Sequence, residues 1–146
     1  MNDWTSGYVT DIDYTFGYYN ELNPLRLKLA FLNAGLVPPE IGTACELGFG
    51  QGVSANVHAA GSMVKWYGND FNPGQTSHAR GMANASGVDI ERVDDTVCDF
   101  ADREDLPECN YIGCHGIWSW ISDENRAHIV EFIRRKLKVG GVVYIS

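Results

Sequence analysis

From residue 41 onward the chain alternates short apolar segments with helix-patterned ones, and this alternation leaves few folds open. An apolar segment at 43–47 runs through a glycine-rich turn into a helical stretch near 51–60. V-K-W-Y-G-N-D follows Gly61, and Asn72-Pro73 opens a helix that Gly87 closes. Val93 to Asp99 reads as a third strand and N-Y-I-G-C-H as a fourth. Ser122 caps a helix whose Ile129, Val130, Ile133 and Leu137 face the core, Gly140-Gly141 breaks it, and V-V-Y-I-S is a fifth strand. Strands joined through helices run parallel, and a parallel sheet needs apolar cover on both faces. The expected fold class is α/β, a doubly wound parallel sheet of about five strands.

Residues 1–40 follow a different pattern and form a separate unit ahead of the 41–146 domain. Six aromatics, Trp4, Tyr8, Tyr14, Phe16, Tyr18 and Tyr19, fall within the first 20 residues without strand or helix period. Asn23-Pro24 is a helix-start signal, and Leu25, Leu29, Leu32 and Leu36 recur at helical spacing up to Pro38-Pro39, so a helix ends near Gly35. An aromatic arm and one helix are expected there.

Charge narrows the partners. The formal net charge is -8, and most of the excess acid lies in the segment 91–108, whose carboxylates read as loop decoration. Phosphate neutralisation needs clustered cations, so a basic-surface nucleic-acid binder is disfavoured. The one basic cluster, Arg134, Arg135, Lys136 and Lys138, sits where a helix C-terminus favours cations. Cys45, Cys98, Cys109 and Cys114 have neither a C-x-x-C pair nor zinc spacing, which predicts reduced, mostly buried thiols and no metal. No apolar run is long enough for a bilayer, and the M-N-D-W-T-S start lacks a leader pattern. A cytoplasmic location without membrane contact is the expectation.

In an open parallel sheet, ligands bind at the carboxyl ends of the strands where strand order reverses. The first such end is C-E-L-G-F-G-Q-G, with Gly48, Gly50 and Gly52 between strand and helix, Gln51 among them and Glu46 just before. Alternating glycines allow a sharp turn and close backbone approach to a ligand. A dinucleotide fingerprint would need glycine at position 53, where Val53 stands. Alone, the turn fits simple chain reversal as well as a nucleoside site. Asp70 ends the second strand, where a carboxylate can take both ribose hydroxyls, or it merely caps the next helix. Asp99 and Phe100, at the end of the expected third strand, supply an acceptor and an apolar wall for an adenine.

Together these motifs resemble the class I S-adenosylmethionine-dependent methyltransferases, which have a Rossmann-like fold. E-L-G-F-G-Q-G is similar to their first motif, N-D to the ribose-binding acid, D-F to the adenine side, and L-K-V-G-G-V-V-Y-I to the segment before the fifth strand. Within them, His115-Gly116-Ile117-Trp118-Ser119-Trp120 and, more loosely, N-P-L-R-L-K-L-A resemble bacterial methyltransferases that carry a predicted methyltransferase regulatory domain, a group that includes protein-lysine methyltransferases. The resemblance implies S-adenosyl-L-methionine as cofactor, held by Glu46, Gly48, Gly50, Gln51, Gly52, Asp70, Asp99, Phe100, His115 and Gly116.

Methyl transfer from a sulfonium is an in-line displacement, so the site must align an acceptor and exclude water. Tyr14, Tyr19, Trp118 and Trp120 are candidates for the acceptor side or lid, either steadying the sulfonium by cation–π attraction or simply packing. His115 is a candidate general base, or a structural imidazole. His58, His78 and His128 read as surface residues on helices. The acceptor stays open among protein lysine, a glycan and a small molecule. A module that binds the cofactor without catalysis is the alternative, and a nicotinamide-dependent oxidoreductase a third. The related fold has seven strands, so the expectation is a sheet truncated at its C-terminus. Its cofactor half would be present, its turnover alone would be low, and an apolar edge at Val142 to Ser146 would be open to self-association.

Overall fold

The computed structural model describes residues 15–146. Five parallel strands, β1 (Thr43–Leu47), β2 (Lys65–Asn69), β3 (Ile90–Val93), β4 (Cys109–Cys114) and β5 (Leu137–Ile145), form one sheet in the order β3-β2-β1-β4-β5. The helices are α1 (Pro24–Asn33), α2 (Val53–Ala60), α3 (Pro73–Ser86), α4 (Val97–Asp102) and α5 (Asp123–Lys136), with a 3-10 turn at Asn20–Leu22.

Helix starts follow local chemistry. Asn23, Asn72, Thr96 and Ser122 each accept a backbone N–H of the first turn of α1, α3, α4 and α5, and Pro24 and Pro73 occupy first-turn positions where no N–H is missed. Alternation along the strands then sorts the core into two. Cys45, Leu47, Ile112 and Cys114 face Val97, Phe100, Ile129 and Phe132 of α4 and α5. Ala44, Trp66 and Tyr111 face Ala55, Ala59, Ala79 and Ala83 of α2 and α3. Covered faces on both sides satisfy the parallel-sheet requirement.

Three sequence expectations are corrected. The third strand lies at Ile90–Val93, and the run expected to continue it to Asp99 turns instead into α4. The cause is Thr96, whose hydroxyl accepts from the Asp99 N–H at 3.2 Å and meets the Asp99 carboxylate at 2.7 Å, a side-chain start signal that outweighs the β-branched residues around it. Second, α5 stops at Lys136, and Leu137 already belongs to β5, so Gly140-Gly141 lies inside the strand, next to a register irregularity opposite Cys109 and Tyr111. Third, Val130 is exposed, and Phe132 takes the core position, stacked on Phe100 with ring centroids 5.5 Å apart.

Candidate functional site

The chain leaves β1 toward β2 and β3 on one side and returns to β4 on the other, so strand order reverses between β1 and β4. Their carboxyl ends cannot both be covered by one crossover, and a crevice opens there. A cavity of about 240 Å³ occupies it. Glu46 and residues 48–53 line it from β1 and the following turn, His115, Gly116 and Trp120 from the segment after β4, and Thr15, Gly17 and Tyr19 from the arm.

Backbone conformation explains the glycines. Gly52, the N-cap of α2, has φ +72°, and a Cβ there would stand 2.5 Å from that of Ala79. Gly50 has φ +56° and donates its N–H to Asp70 Oδ2 at 2.9 Å. Side chains would be strained at both. The turn is also held from outside: Phe49 N–H bonds the Asn69 carbonyl at 3.1 Å, Asp70 N–H bonds Val93 at 3.1 Å, and Asn69 Nδ2 bonds Asp95 at 3.0 Å.

Two buried carboxyl groups sit beneath the turn. Asp70 takes Gly50 N–H on one oxygen and Asn72 N–H, at 2.9 Å, on the other. The Gln75 amide, with its nitrogen toward the carboxylate, donates to both oxygens at 3.0 and 3.1 Å. Burial raises the Asp70 pKa to about 6 against the lowering effect of the Asn72 and Gly50 N–H groups. Glu46 lines the cavity, and its Oε2 is buried without a hydrogen-bond partner. Burial, reinforced by the charge of Asp70, raises its pKa to about 8, so at neutral pH Glu46 is largely protonated beside an ionised Asp70. An unmet acceptor on a cavity wall suits a ligand that brings an N–H donor.

The arm reaches the cavity along α2. Ser54, buried in its first turn, accepts Tyr19 N–H at 2.7 Å and donates to Gly17 O at 3.4 Å. Tyr18 meets His58 edge-on at 5.3 Å, and the Tyr19 ring lies against His115, with centroids 4.1 Å apart and planes tilted by 40°. His115 Nδ1 is 2.7 Å from Ser146 Oγ.

Of the residues expected at the site, the structure brings together Glu46, Gly48, Gly50, Gln51, Gly52, His115, Gly116, Tyr19 and Trp120. Asp70 lies behind them, bracing the turn from outside the cavity lining. Asp99 and Phe100 do not reach it: Asp99 faces solvent in the first turn of α4, and Phe100 is buried in the α4–α5 core. Trp118 packs against that same core, with its carbonyl accepting from Arg126 at 2.9 Å. Tyr14 lies outside the described residues. Thr15, Gly17, Phe49 and Val53 line the cavity unanticipated; Phe49 and Val53 were legible as turn neighbours, whereas no sequence signal marks Thr15 or Gly17. His58, expected at the surface, is buried against Trp66, both ring nitrogens unpartnered, and burial lowers its pKa to about 4. No group of side chains among the described residues is arranged to hold a metal, and none of their helices is long and apolar enough to cross a membrane.

No family model matches the chain. An uncharacterised protein of Synechocystis, sll1526, is 43% identical over 98% of this chain and 29% of its own length. The chain spans between about a quarter and a half of the curated relatives it matches. PKMT2 from Rickettsia typhi, in complex with AdoHcy, superimposes with a TM-score of 0.79 at 23% identity, over 90% of this chain and 26% of that one. An S-adenosylmethionine-dependent methyltransferase from Thiobacillus denitrificans, in complex with S-adenosyl-L-homocysteine, gives 0.63 at 20% identity over 92% and 51%. Sheet order, the glycine turn at the switch point and these likenesses agree: the chain has the fold of the class I S-adenosylmethionine-dependent methyltransferases.

Proposed function

We propose that the cavity binds S-adenosyl-L-methionine and that the chain serves methyl transfer to a nucleophilic acceptor, with protein lysine the first to test. The observation that carries this reading is the partnerless Glu46 carboxyl on the wall of a cavity formed by the glycine turn at the switch point. A ligand ending in an ammonium group supplies the donor that Glu46 lacks and, as a cation beside it, favours the ionised, accepting form of a carboxyl that is largely protonated without it, and the turn lets its body lie against backbone. The cofactor, when bound, supplies a methyl group on a positively charged sulfur. The residues then bind, orient and exclude water: Tyr19 and the arm cover one side, and Trp120, 55% exposed, flanks the mouth, where its ring can face a cation. Lysine is favoured by the resemblance of the His115–Trp120 segment to a group that includes protein-lysine methyltransferases.

Calorimetric titration with S-adenosylmethionine, S-adenosylhomocysteine and NAD, followed by transfer of labelled methyl into lysine-containing protein, tests both parts. Heat with the first two ligands and none with NAD is expected. Binding of NAD, or of none, overturns the cofactor assignment. Binding without transfer to any acceptor class favours the alternative of a cofactor-holding module.

A further inference from the structure

The segment after β4 places His115 on the cavity, and its ring is gripped from two directions. Ser146, just past β5, donates its N–H to Cys114 O at 3.2 Å and accepts Gly116 N–H on its own carbonyl at 3.1 Å. These two backbone bonds flank His115, so the Ser146 side chain is delivered to that ring by the sheet ladder, and its Oγ meets Nδ1 at 2.7 Å. Tyr19 covers a face of the ring. Cys114 and Ile117 on either side are buried, which anchors the short segment.

We infer that Ser146 is a positioning residue: its hydroxyl oxygen accepts the Nδ1–H of His115 and fixes the tautomer whose Nε2 lone pair remains to take a proton from the acceptor. The inference rests on the proposed methyl transfer. An ammonium or hydroxyl acceptor must shed a proton to attack. That proton passes to Nε2, the acceptor's electron pair forms the new bond to the methyl carbon, and the carbon–sulfur bond breaks with its electrons staying on sulfur. The imidazolium then returns the proton to solvent. A free imidazole favours the opposite tautomer, with hydrogen on Nε2, which presents no lone pair there. A hydroxyl can take either role toward Nδ1; the inferred role is acceptor, and on that assignment the ring without the Ser146 hydroxyl is mostly in the wrong form.

Long-range proton–nitrogen spectra of the chain labelled at histidine nitrogen, with the His115 signal identified by its loss in His115→Gln, decide this directly. The expected result is hydrogen on Nδ1 in the unmodified chain and in Ser146→Thr, which keeps a hydroxyl, and a shift toward hydrogen on Nε2 in Ser146→Ala. In methyl transfer to a lysine peptide, Ser146→Ala should lose roughly tenfold in kcat, part of the ~10²–10⁴ a positioned base contributes, while Ser146→Thr recovers the rate. Hydrogen on Nε2 in the unmodified chain, an unchanged tautomer in Ser146→Ala, or a changed tautomer with an unchanged rate overturns the inference. Failure of the unmodified chain to bind cofactor or transfer methyl overturns the reading of function instead, while the spectra still decide what Ser146 does to the ring.

Discussion

Glu46 and His58 make opposite demands on protons, and the difference is measurable. The folded chain raises the Glu46 pKa from 4.5 to about 8, so between those values it binds a proton that the unfolded chain has released, and stability falls as pH rises through that window. His58, lowered from 6.5 to about 4, does the reverse and adds stability as pH rises through its own window. From about pH 4.5 to 6.5 the two slopes oppose each other, with Asp70, raised to about 6, on the side of Glu46. Between 6.5 and 8 only Glu46 remains of the three. The melting temperature of the ligand-free chain should therefore decline by roughly 3–7 °C over pH 6.5 to 8, since one proton is worth about 1.4 kcal/mol per pH unit, less as the pH nears 8, and each kcal/mol about 2–4 °C in a chain of this size. Glu46→Gln should flatten that decline in a thermal scan; an equal slope in the variant would place the titration elsewhere. Asp70→Ala strips two backbone N–H groups of their acceptor, and cofactor affinity should fall by roughly 1.5–3 kcal/mol through a loosened turn, read by calorimetry. Both acids were visible in the sequence from their place at strand ends. Their partners were not, because which N–H groups a carboxylate meets depends on how the turn after β1 folds back over the end of β2.

Among the elements, those with a start signal and a full period were legible: β1, β2, β4, α3 and α5 lie within a few residues of the places their capping Asn or Ser and their apolar runs set. The third strand failed for a local reason. V-D-D-T-V-C carries β-branched residues that suit a strand, yet the Thr96 cap commits the backbone to α4 only after the loop from β3 has turned, and this removes Asp99 and Phe100 from the site. The described part of the arm, 15–19, is irregular as its sequence suggests, but its attachment was not legible, since it depends on a hydroxyl 35 residues away in sequence, the Ser54 Oγ that accepts Tyr19 N–H. We infer that the arm serves as a lid over the cavity. Ser54→Ala removes the bond at 2.7 Å and the weaker one to Gly17, and S-adenosylmethionine affinity should fall by about 0.5–1.5 kcal/mol with little change in melting temperature. Equal affinity in the variant would mean that the arm covers the cavity without guarding it.

At the scale of the molecule, β5 is unlike the other strands. It pairs with β4 along one side, and among the described residues no strand lies on the other, so a row of N–H and C=O groups faces outward beside exposed Val139 and Ile145. Five half-buried positions of β5 keep the strand in place from within while its edge stays open. The other edge strand, β3, is only four residues long, has Glu91 and Arg92 in the middle, and has Arg80 bonded to the Arg92 carbonyl at 3.0 Å, devices that blunt an edge. β5 has nine residues, Lys138 as its one charge, and none of that protection from Val142 onward. Open apolar edges recruit other strands, and a second copy offers the same edge. We therefore expect the chain to self-associate through β5, its mass by light scattering rising with concentration. Val139→Lys places a charge on the edge without touching the core, since Val139 is fully exposed, and should return the mass toward that of a single chain. An unmodified chain that scatters as a monomer across the concentration range would show that the β5 edge does not recruit its own kind.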